Sequence, residues 1–426
     1  MPLTLVTSDR FADHLTPPGH PERVARAHVM QAVTEKWAAE GVAILAPRLA
    51  TRAELLRVHT AAYLDHIRQT AGRAVMLDGD TFTSPDTADV AELAAGAAIV
   101  AVDAVLGDRA EASSAPTSLG DRAEASPVPA TTTPDAGPRT PDPGRRTPDP
   151  GPRPPDPGRR TPDDSIPPSA LVLVRPPGHH AEAARAMGFC IYNNTAIAAA
   201  HALARGRARV AVVDYDVHHG NGTQWAFYGD PRVLYVSTHQ FPFYPGTGSA
   251  GEAGVGQGEG FTVNVPLEAG ATDDDYLTVC GAVILPVLAA FRPELLLVSA
   301  GFDAHMRDPL AQMRMSVAGF NHLALRLHAL AGSVGCPAVF ITEGGYHLKV
   351  LGACLDGLVR VMLGPAFQQQ GPGRSGPERV TGGPEAEPLT ADDAPLVEQI
   401  LDEPARRGQA AVDLVRAVQK RYWPGL

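Results

Sequence analysis

The hydrophobic positions of this 426-residue chain fall into short continuous runs and into longer stretches with helical spacing. Six runs are almost wholly apolar, which is typical of strands buried on both faces of a sheet. They cover residues 3–7, 170–175, 209–215, 232–237, 294–299 and 337–342. Apolar positions with a helical period occur near residues 21–38, 87–106, 190–205, 272–290, 316–332 and 346–362. Strands that alternate with helices predict an α/β fold, a single large domain whose mainly parallel sheet is flanked by helices.

Two stretches of the chain lack this alternation. Residues 107–168 contain the sequence GDRAEAS twice and then a seven-residue repeat of the type RTPDPGR. Because proline removes backbone donors and the stretch has little apolar surface to bury, we predict an extended or disordered insertion within a domain of residues 1–106 and 169–363. A docking site for a partner is the alternative. Residues 364–390 are rich in Gly, Pro and Gln and predict a flexible segment, and residues 391–426 predict a helical C-terminal extension.

Composition excludes several classes of protein. The formal net charge of −11 argues against nucleic-acid binding through phosphate contacts. The chain has no uninterrupted apolar run of membrane-spanning length, and its first residues do not resemble a secretory signal. The cysteines form no CxxC pair, which favours reduced thiols and a cytoplasmic location; they are Cys190, Cys280, Cys336 and Cys354. The oligomeric state stays open.

Polar clusters follow five of the predicted strands. They are RPPGHH after the strand at 170–175, DYDVHHGNG after 209–213, STHQFPFYPGTG after 232–236, SAGFDAH after 294–298 and TEGGYH after 337–341. In open α/β sheets, ligands bind beyond the carboxyl ends of the strands. Five unusual loops that leave the same edge therefore predict one common functional site.

The loop DYDVH contains groups suited to a divalent metal. Asp214, Asp216 and His218 alternate along an extended strand end, so their side chains share one side. Zinc accepts mixed carboxylate and imidazole ligands, and a catalytic zinc site keeps a position open for water. Asp303, which follows another strand, is the natural third ligand. The alternative is a buried hydrogen-bonded network without a metal.

The remaining loops supply groups for proton transfer. His179 and His180 are adjacent on a loop stiffened by prolines, where one can act as a base for water and the other can protonate a leaving group. Asp214 and Asn221 are candidates to orient these two imidazoles. Tyr346 follows two glycines, and a phenol at this place suits hydrogen bonding to an oxyanion. Packing at a helix N-terminus is the structural alternative for this tyrosine.

In order and spacing, the loops resemble the zinc-dependent histone deacetylase superfamily. RPPGHHAEAARAMGFCIYNN, DYDVHHGNGTQ, YVSTHQFPFYPGTG, SAGFDAH and EGGYH carry the resemblance. The RPPGHH form, the Asn in HHGNGT and the N-terminal PPGHPERVAR are similar to its class II and bacterial deacetylase-like branch. The resemblance covers residues 1–106 and 169–363, and it implies the arginase/deacetylase fold with an eight-stranded parallel sheet.

The same resemblance implies roles for individual residues. It implies zinc ligands at Asp216, His218 and Asp303, general acid–base roles for His179 and His180, orienting roles for Asp214 and Asn221, and oxyanion stabilisation by Tyr346. It implies a narrow channel for the acylated amine, walled by Gly188, Phe189 and Tyr244. It also implies a structural potassium ion below the zinc, bound by Asp214, Asp216, His218 and Ser237, several of them through backbone oxygens.

The expected function is metal-dependent hydrolysis of an amide, removing acetyl or other acyl groups from the ε-amine of lysine in proteins or peptides. Three alternatives stay open: an acetylpolyamine amidohydrolase, an arginase-like binuclear manganese hydrolase and an inactive acyl-lysine binding module. Relatives that prefer acetylpolyamines can carry an acid at the rim of the channel, seven residues after the third zinc ligand. The channel residue at this position is Leu310 in this chain, which favours acyl-lysine. Iron(II) is the alternative to zinc in such a site.

Overall fold

The computed structural model describes residues 3–107, 167–364 and 404–426. Eight strands form one sheet in which all neighbouring pairs are parallel. Its strands are β1 (Leu3–Val6), β2 (Ala43–Leu45), β5 (Ser169–Val172), β6 (Val210–Asp214), β7 (Val233–Gln240), β8 (Thr262–Leu267), β9 (Leu295–Ala300) and β10 (Ala338–Thr342). Their order across the sheet is β2-β1-β5-β10-β9-β6-β7-β8, and β3 (Val75–Met76) and β4 (Phe82–Thr83) pair separately as an antiparallel hairpin.

Helices cover both faces of the sheet. They are α1 (Ala25–Ala39), α2 (Arg52–Leu55), α3 (Ala61–Arg68), α4 (Thr87–Leu106), α5 (Asn194–Ala204), α6 (Asn221–Phe227), α7 (Asp273–Val279), α8 (Leu285–Phe291), α9 (Val317–Ser333), α10 (Leu348–Leu363) and α11 (Arg406–Gln419). A π-helical turn, Cys280–Ile284, joins α7 to α8, and short 3-10 helices occur at Asp9–Asp13 and Gly256–Gly258. The predicted α/β fold class is confirmed.

Alternation along each central strand explains why the apolar runs are continuous. In β6, Ala211 and Val213 belong to the apolar core under α1 and α7 to α11, whereas Val210 and Val212 belong to the core under α4 and α5. Side chains of successive strand residues point to opposite faces, so a strand covered on both sides needs apolar residues at every position. The last residue of β6, Asp214, breaks this rule although it is completely buried.

The structure adds strands that hydrophobic periodicity did not predict. β2 is only three residues long and exposed throughout, and β8 contains Asn264 and Pro266, which are poor strand signals. Both strands lie at the edges of the sheet. The edge formed by β8 is covered by α11, since Gln419 Nε2 donates to Thr262 O at 2.7 Å. Edge strands of this kind depend on tertiary contacts more than on local sequence.

The predicted helices occur with small shifts at their ends. The helix predicted at 190–205 begins at Asn194, because the Asn193 side chain caps it by accepting a hydrogen bond from Ala196 N at 2.8 Å. The helical stretch Asp273–Phe291 is long and apolar enough to cross a membrane, but half of it is buried in this protein, as is common for core helices. The predicted insertion and flexible segment fall almost entirely outside the described residues, so both stay predictions.

Candidate metal and catalytic centre

The five polar loops converge because their strands are neighbours. β5, β10, β9, β6 and β7 lie side by side in the sheet, and each polar loop leaves the carboxyl end of one of them. Parallel strands place these ends at one edge of the sheet. The predicted convergence of the loops is therefore what the strand order produces, although sequence alone did not give that order.

The predicted metal ligands are brought together and completely or almost completely buried. His218 Nδ1 lies 3.2 Å from Asp216 Oδ1 and 3.3 Å from Asp303 Oδ2. The candidate ligand atoms of the three residues all lie within 4.8 Å of one another. Backbone N–H groups occupy some of the other lone pairs, since Val217 N donates to Asp303 Oδ1 at 2.9 Å and Gly344 N donates to Asp216 Oδ2 at 2.8 Å.

The chemistry of this cluster fits a cation. Asp303 Oδ2 is buried and accepts no hydrogen bond from the described residues. Two buried carboxylates that face one imidazole nitrogen carry more negative charge than neutral donors compensate, and burying unpaired charge is costly. The backbone also approaches closely: a Cβ at Gly344 would lie 2.1 Å from Asp303 Oδ2, so glycine is required there. The residues present therefore fit a bound divalent metal.

His179 and His180 have different partners and different protonation preferences. His179 Nδ1 lies 3.1 Å from Asp214 Oδ2, and His180 Nδ1 lies 2.8 Å from Asn221 Oδ1. Burial opposes protonation of His179, but the carboxylates of Asp216 and Asp214 outweigh it and raise its pKa. For His180, burial and the neighbouring imidazoles lower the pKa. The two imidazole rings are tilted with centroids 4.0 Å apart. Although they are this close, their pKa values are shifted in opposite directions.

The orientation of the Asn221 amide determines the tautomer of His180. Asn221 Nδ2 donates to Glu182 Oε1 at 2.8 Å and lies 3.4 Å from the Met187 sulfur, so its carbonyl oxygen faces the histidine. An amide oxygen only accepts hydrogen bonds, so Nδ1 of His180 carries the proton. Nε2 is then left with a free lone pair. His180 is consequently arranged as a base through Nε2.

Tyr346 is held at the site by its backbone and its ring. Its N–H donates to Asp308 Oδ2 at 2.7 Å, and its ring lies 5.7 Å from that of Phe189 in an edge-to-face contact. The Arg26 guanidinium lies 5.1 Å from the centre of the Tyr346 ring. Burial raises the pKa of the Tyr346 phenol, so it stays protonated and can donate a hydrogen bond.

A buried ionic cluster supports the loop that carries Tyr346. Arg26 donates from Nε to Gly345 O at 2.8 Å and also to the backbone oxygen of Glu343. Glu22 contacts Arg26 at 2.9 Å and accepts hydrogen bonds from Nε and Nη2 of Arg175, and all three side chains are inaccessible to solvent. Burial opposes ionisation of Glu22, but the two arginines outweigh it and lower its pKa to about 2.

A cavity of about 210 Å³ opens onto this centre. It is lined by His180, His218 and Tyr346 and by all four predicted channel residues, Gly188, Phe189, Tyr244 and Leu310; Asp80 and Phe243 complete it. Phe243 stacks on His218 with ring centroids 5.5 Å apart. The hydroxyl of Tyr244 would lie 3.1 Å from a Cβ at Gly188. The cavity is thus narrow where glycine forms its wall.

The predicted potassium ligands Asp214 and Ser237 lie next to each other, but their side chains do not surround a common ion position. Asp214 and Ser237 are opposite each other in the pairing of β6 with β7. Ser237 Oγ contacts His239 Nδ1 at 2.9 Å, and Asp214 Oδ1 accepts a hydrogen bond from Asp216 N at 3.2 Å. Hydrogen bonds therefore already occupy the Asp214 and Ser237 side chains, which is compatible with a site built from backbone oxygens. The potassium site stays a prediction.

Several residues at the centre were not singled out from the sequence. Asp308 and Glu343 are buried carboxylates, and Arg26 and Glu22 form the buried ionic cluster. Glu343 lies within the quoted TEGGYH loop, so a charge directly after an apolar strand was the available signal. Asp308 had no such signal, since it acts by accepting backbone N–H bonds from residues far along the chain. Contacts of this kind produce no recognisable spacing of residue types in the sequence.

The eight-stranded parallel sheet is that of the arginase/deacetylase fold. The buried metal-binding and proton-transfer groups at its carboxyl edge are typical of a hydrolase. The histone deacetylase domain family matches residues 20–362, and the chain belongs to that family. The chain is accordingly a deacetylase, in a family whose members are metal-dependent.

Individual relatives support this assignment. A probable deacetylase of Archaeoglobus fulgidus is 33% identical over 350 residues, which are 81% of this chain and 81% of that protein. Human polyamine deacetylase HDAC10 is 46% identical over 212 residues, but these are 48% of this chain and only 31% of that protein. The solved HDA15 HD domain matches with a TM-score of 0.72 and 28% identity, covering 99% of this chain and 97% of that chain.

Proposed function

We propose that the protein is a zinc-dependent deacetylase that hydrolyses acetylated lysine side chains in proteins or peptides. The observation that carries the proposal is the narrow cavity at whose inner end His180, His218 and Tyr346 meet. A slender chain that ends in a planar amide suits such a cavity, because the amide can reach the buried polar groups while its alkyl chain contacts Phe189 and Tyr244. Asp216, His218 and Asp303 would hold the zinc ion.

Bound zinc supplies Lewis-acid polarisation of the acyl carbonyl and of a water molecule. His180 lines the cavity and presents Nε2 as a proton acceptor, so it removes the proton from the attacking water and later gives a proton to the departing amine. Tyr346 donates its phenol hydrogen to the developing oxyanion. His179 does not line the cavity; held by Asp214, it provides positive charge behind the reacting groups. We also propose a structural potassium ion near Asp214 and Ser237.

The catalytic assignment is tested by three variants assayed for acetate release from an acetyl-lysine peptide. Tyr346→Phe and His180→Ala should each lower kcat by at least about 100-fold with the fold intact, as removal of such groups does in other hydrolases. Tyr228→Phe is the matched control, since Tyr228 packs on Trp225 away from the cavity. Near wild-type kcat in either active-site variant would contradict the assignment.

An acetylpolyamine is the second candidate substrate, because one stretch of similarity is to a polyamine deacetylase. Against it, the position where such relatives can carry an acid is apolar Leu310, so the one carboxylate among the described residues that line the cavity is that of Asp80, between β3 and β4. We propose that an acetyl-lysine peptide is hydrolysed in preference to N-acetylputrescine. Leu310→Glu should shift the ratio of the two kcat/KM values toward the polyamine by about tenfold or more, with Leu310→Met as the size-matched control. A wild-type preference for the polyamine would overturn the choice.

A further inference from the structure

Glu343 is a buried carboxylate that the mechanism above does not use. It follows β10 directly and is completely inaccessible to solvent. Burial raises its pKa to about 7, the nearby His179 imidazole acts in the opposite direction, and no Lys or Arg side chain forms an ion pair with it among the described residues. A buried acid without an arginine or lysine partner is costly to retain. A specific task for its oxygens would account for its presence.

Four hydrogen-bond donors from three parts of the fold converge on the two oxygens of this carboxylate. Oε2 accepts the backbone N–H groups of Gly178 at 2.6 Å and His179 at 3.1 Å. Oε1 accepts the hydroxyls of Thr195 and Ser299, each at 3.2 Å. Glu343 thus connects the loop after β5, the first turn of α5 and the end of β9. Only Oε2 contacts the loop after β5 that carries His179 and His180, which we call the histidine loop.

The backbone of Glu343 is itself fixed, so its side chain has a rigid base. Its N–H donates to Ala300 O at 3.1 Å, and its carbonyl oxygen accepts a hydrogen bond from Arg26. The next N–H, of Gly344, donates to Asp216. Residues 343–344 therefore contact Asp216 through the Gly344 N–H and the loop of His179 and His180 through the Glu343 carboxylate.

A metal site at the same place does not fit these contacts. His179, Cys190 and Glu343 bring potential ligand atoms within 4.8 Å of one another. Both carboxylate oxygens already accept two hydrogen bonds each, and the Cys190 thiol donates to Gly188 O at 3.3 Å. Burial raises the pKa of that thiol, which disfavours the thiolate that a metal needs. The arrangement is that of a hydrogen-bonded support.

We infer that Glu343 is a positioning residue, which sets the place of His179 and His180 by accepting the Gly178 and His179 N–H groups. This inference rests on the catalytic roles proposed for the two histidines. The acceptor oxygen carries the role rather than the negative charge that also acts on the His179 imidazole, since all four hydrogen-bond donors to the carboxylate are neutral. An amide in its place can keep the same pattern. Its oxygen can accept both N–H groups, and its nitrogen can face the Thr195 and Ser299 hydroxyls, which accept as well as donate.

Three variants of the full chain, loaded with zinc, separate these contributions. Glu343→Leu keeps the approximate volume but removes the acceptors, and should lower kcat at least about 100-fold with KM within about threefold, because misplaced catalytic groups cost that much. Glu343→Gln should restore kcat to within about fivefold of the wild type. Thr195→Val is the control, since it removes a donor to Oε1 and leaves the histidine loop held.

A spectroscopic signature makes the test independent of turnover. The imidazole Nδ1–H proton of His179, bonded to Asp214, should give a resolved NMR signal in the wild type, Glu343→Gln and Thr195→Val, and a shifted or broadened one in Glu343→Leu. If the wild type shows no deacetylation but this pattern holds, the proposed function fails and the positioning role stands. The inference is overturned if Glu343→Leu keeps wild-type kcat and an unchanged signal, or if Glu343→Gln loses as much as Glu343→Leu.

Should Glu343→Leu not fold, Glu343→Asp decides the question. The shorter side chain keeps the charge but withdraws the carboxylate by one methylene group from the Gly178 and His179 N–H groups. We expect kcat to fall at least about tenfold, with metal content unchanged. Wild-type kcat in folded Glu343→Asp would overturn the inference, because charge alone would then suffice.

Discussion

Replacing Glu22 by Gln should destabilise the protein strongly, because it leaves two buried guanidinium groups without their counter-ion. Glu22 contacts Arg175 at 2.5 and 2.7 Å and Arg26 at 2.9 Å, and none of the three side chains is exposed. Gln retains the shape and one acceptor but removes the charge. Breaking a buried pair from one side is costly, since the remaining charge stays buried.

The size of the effect follows from the pKa of Glu22. The two arginines hold it at about 2 against an ordinary value of 4.5. A difference of that size corresponds to about 3 kcal/mol of unfolding free energy at neutral pH. Because the pKa is lower in the folded protein, this contribution is complete above about pH 4.5 and is lost as the pH falls toward 2. His14, whose Nε2 lies 3.5 Å from the same carboxylate, faces the cluster from the N-terminal segment.

The assay is guanidinium denaturation followed by far-UV circular dichroism. At pH 7 we expect Glu22→Gln to lose about 3 kcal/mol, and we expect the gap from the wild type to narrow below about pH 4.5. Asp13→Asn is the matched control: its partner is Arg10, both side chains are 46% exposed, and the expected loss is below about 1 kcal/mol. A loss below about 1 kcal/mol for Glu22→Gln, or a gap that is independent of pH, would refute the reasoning.

Three further variants test other parts of the centre. Asp308→Ala removes the acceptor for the Tyr346 N–H and should lower kcat about tenfold or more at unchanged zinc content, whereas unchanged turnover would show that the tyrosine needs no such support. Gly188→Ala places a Cβ 2.4 Å from the His180 ring at a backbone φ of 57°, so we expect loss of activity and a lower melting temperature; a fully active variant would contradict the close packing. Tyr244→Phe keeps the aromatic wall, so kcat/KM for the peptide should change less than about threefold; a larger loss would mean that the hydroxyl binds substrate.

The sequence predicted the central strands and the catalytic loops for the same physical reason. Strands buried on both faces must be continuously apolar, so the charge of Asp214 at the end of β6 is conspicuous. Edge strands need not be continuously apolar, which is why hydrophobic periodicity did not predict β2 and β8. The clustering of Asp216 with Asp303 depended on β6 and β9 being neighbours, a property of strand order that hydrophobic periodicity does not contain.

The supporting residues were not predictable for a different reason. Glu343 and Asp308 act by accepting backbone N–H groups, and every residue except proline offers such a donor. No residue type at a fixed spacing in the sequence predicts these contacts. Arg26 lies about 320 positions before the loop that it supports, since its bond to Gly345 O spans 319 residues. Such long-range contacts become visible only when the fold is known.

Restoration of activity by metal tests the central claim most directly. The protein is stripped with a chelator, zinc is added back in steps, and acetate release from an acetyl-lysine peptide is measured at each step. The account predicts that the stripped protein is inactive, that activity rises to a plateau at one zinc ion per chain, and that Asp303→Asn gives no such plateau. Full activity in the stripped protein, or no acetate release at any zinc loading, would contradict it.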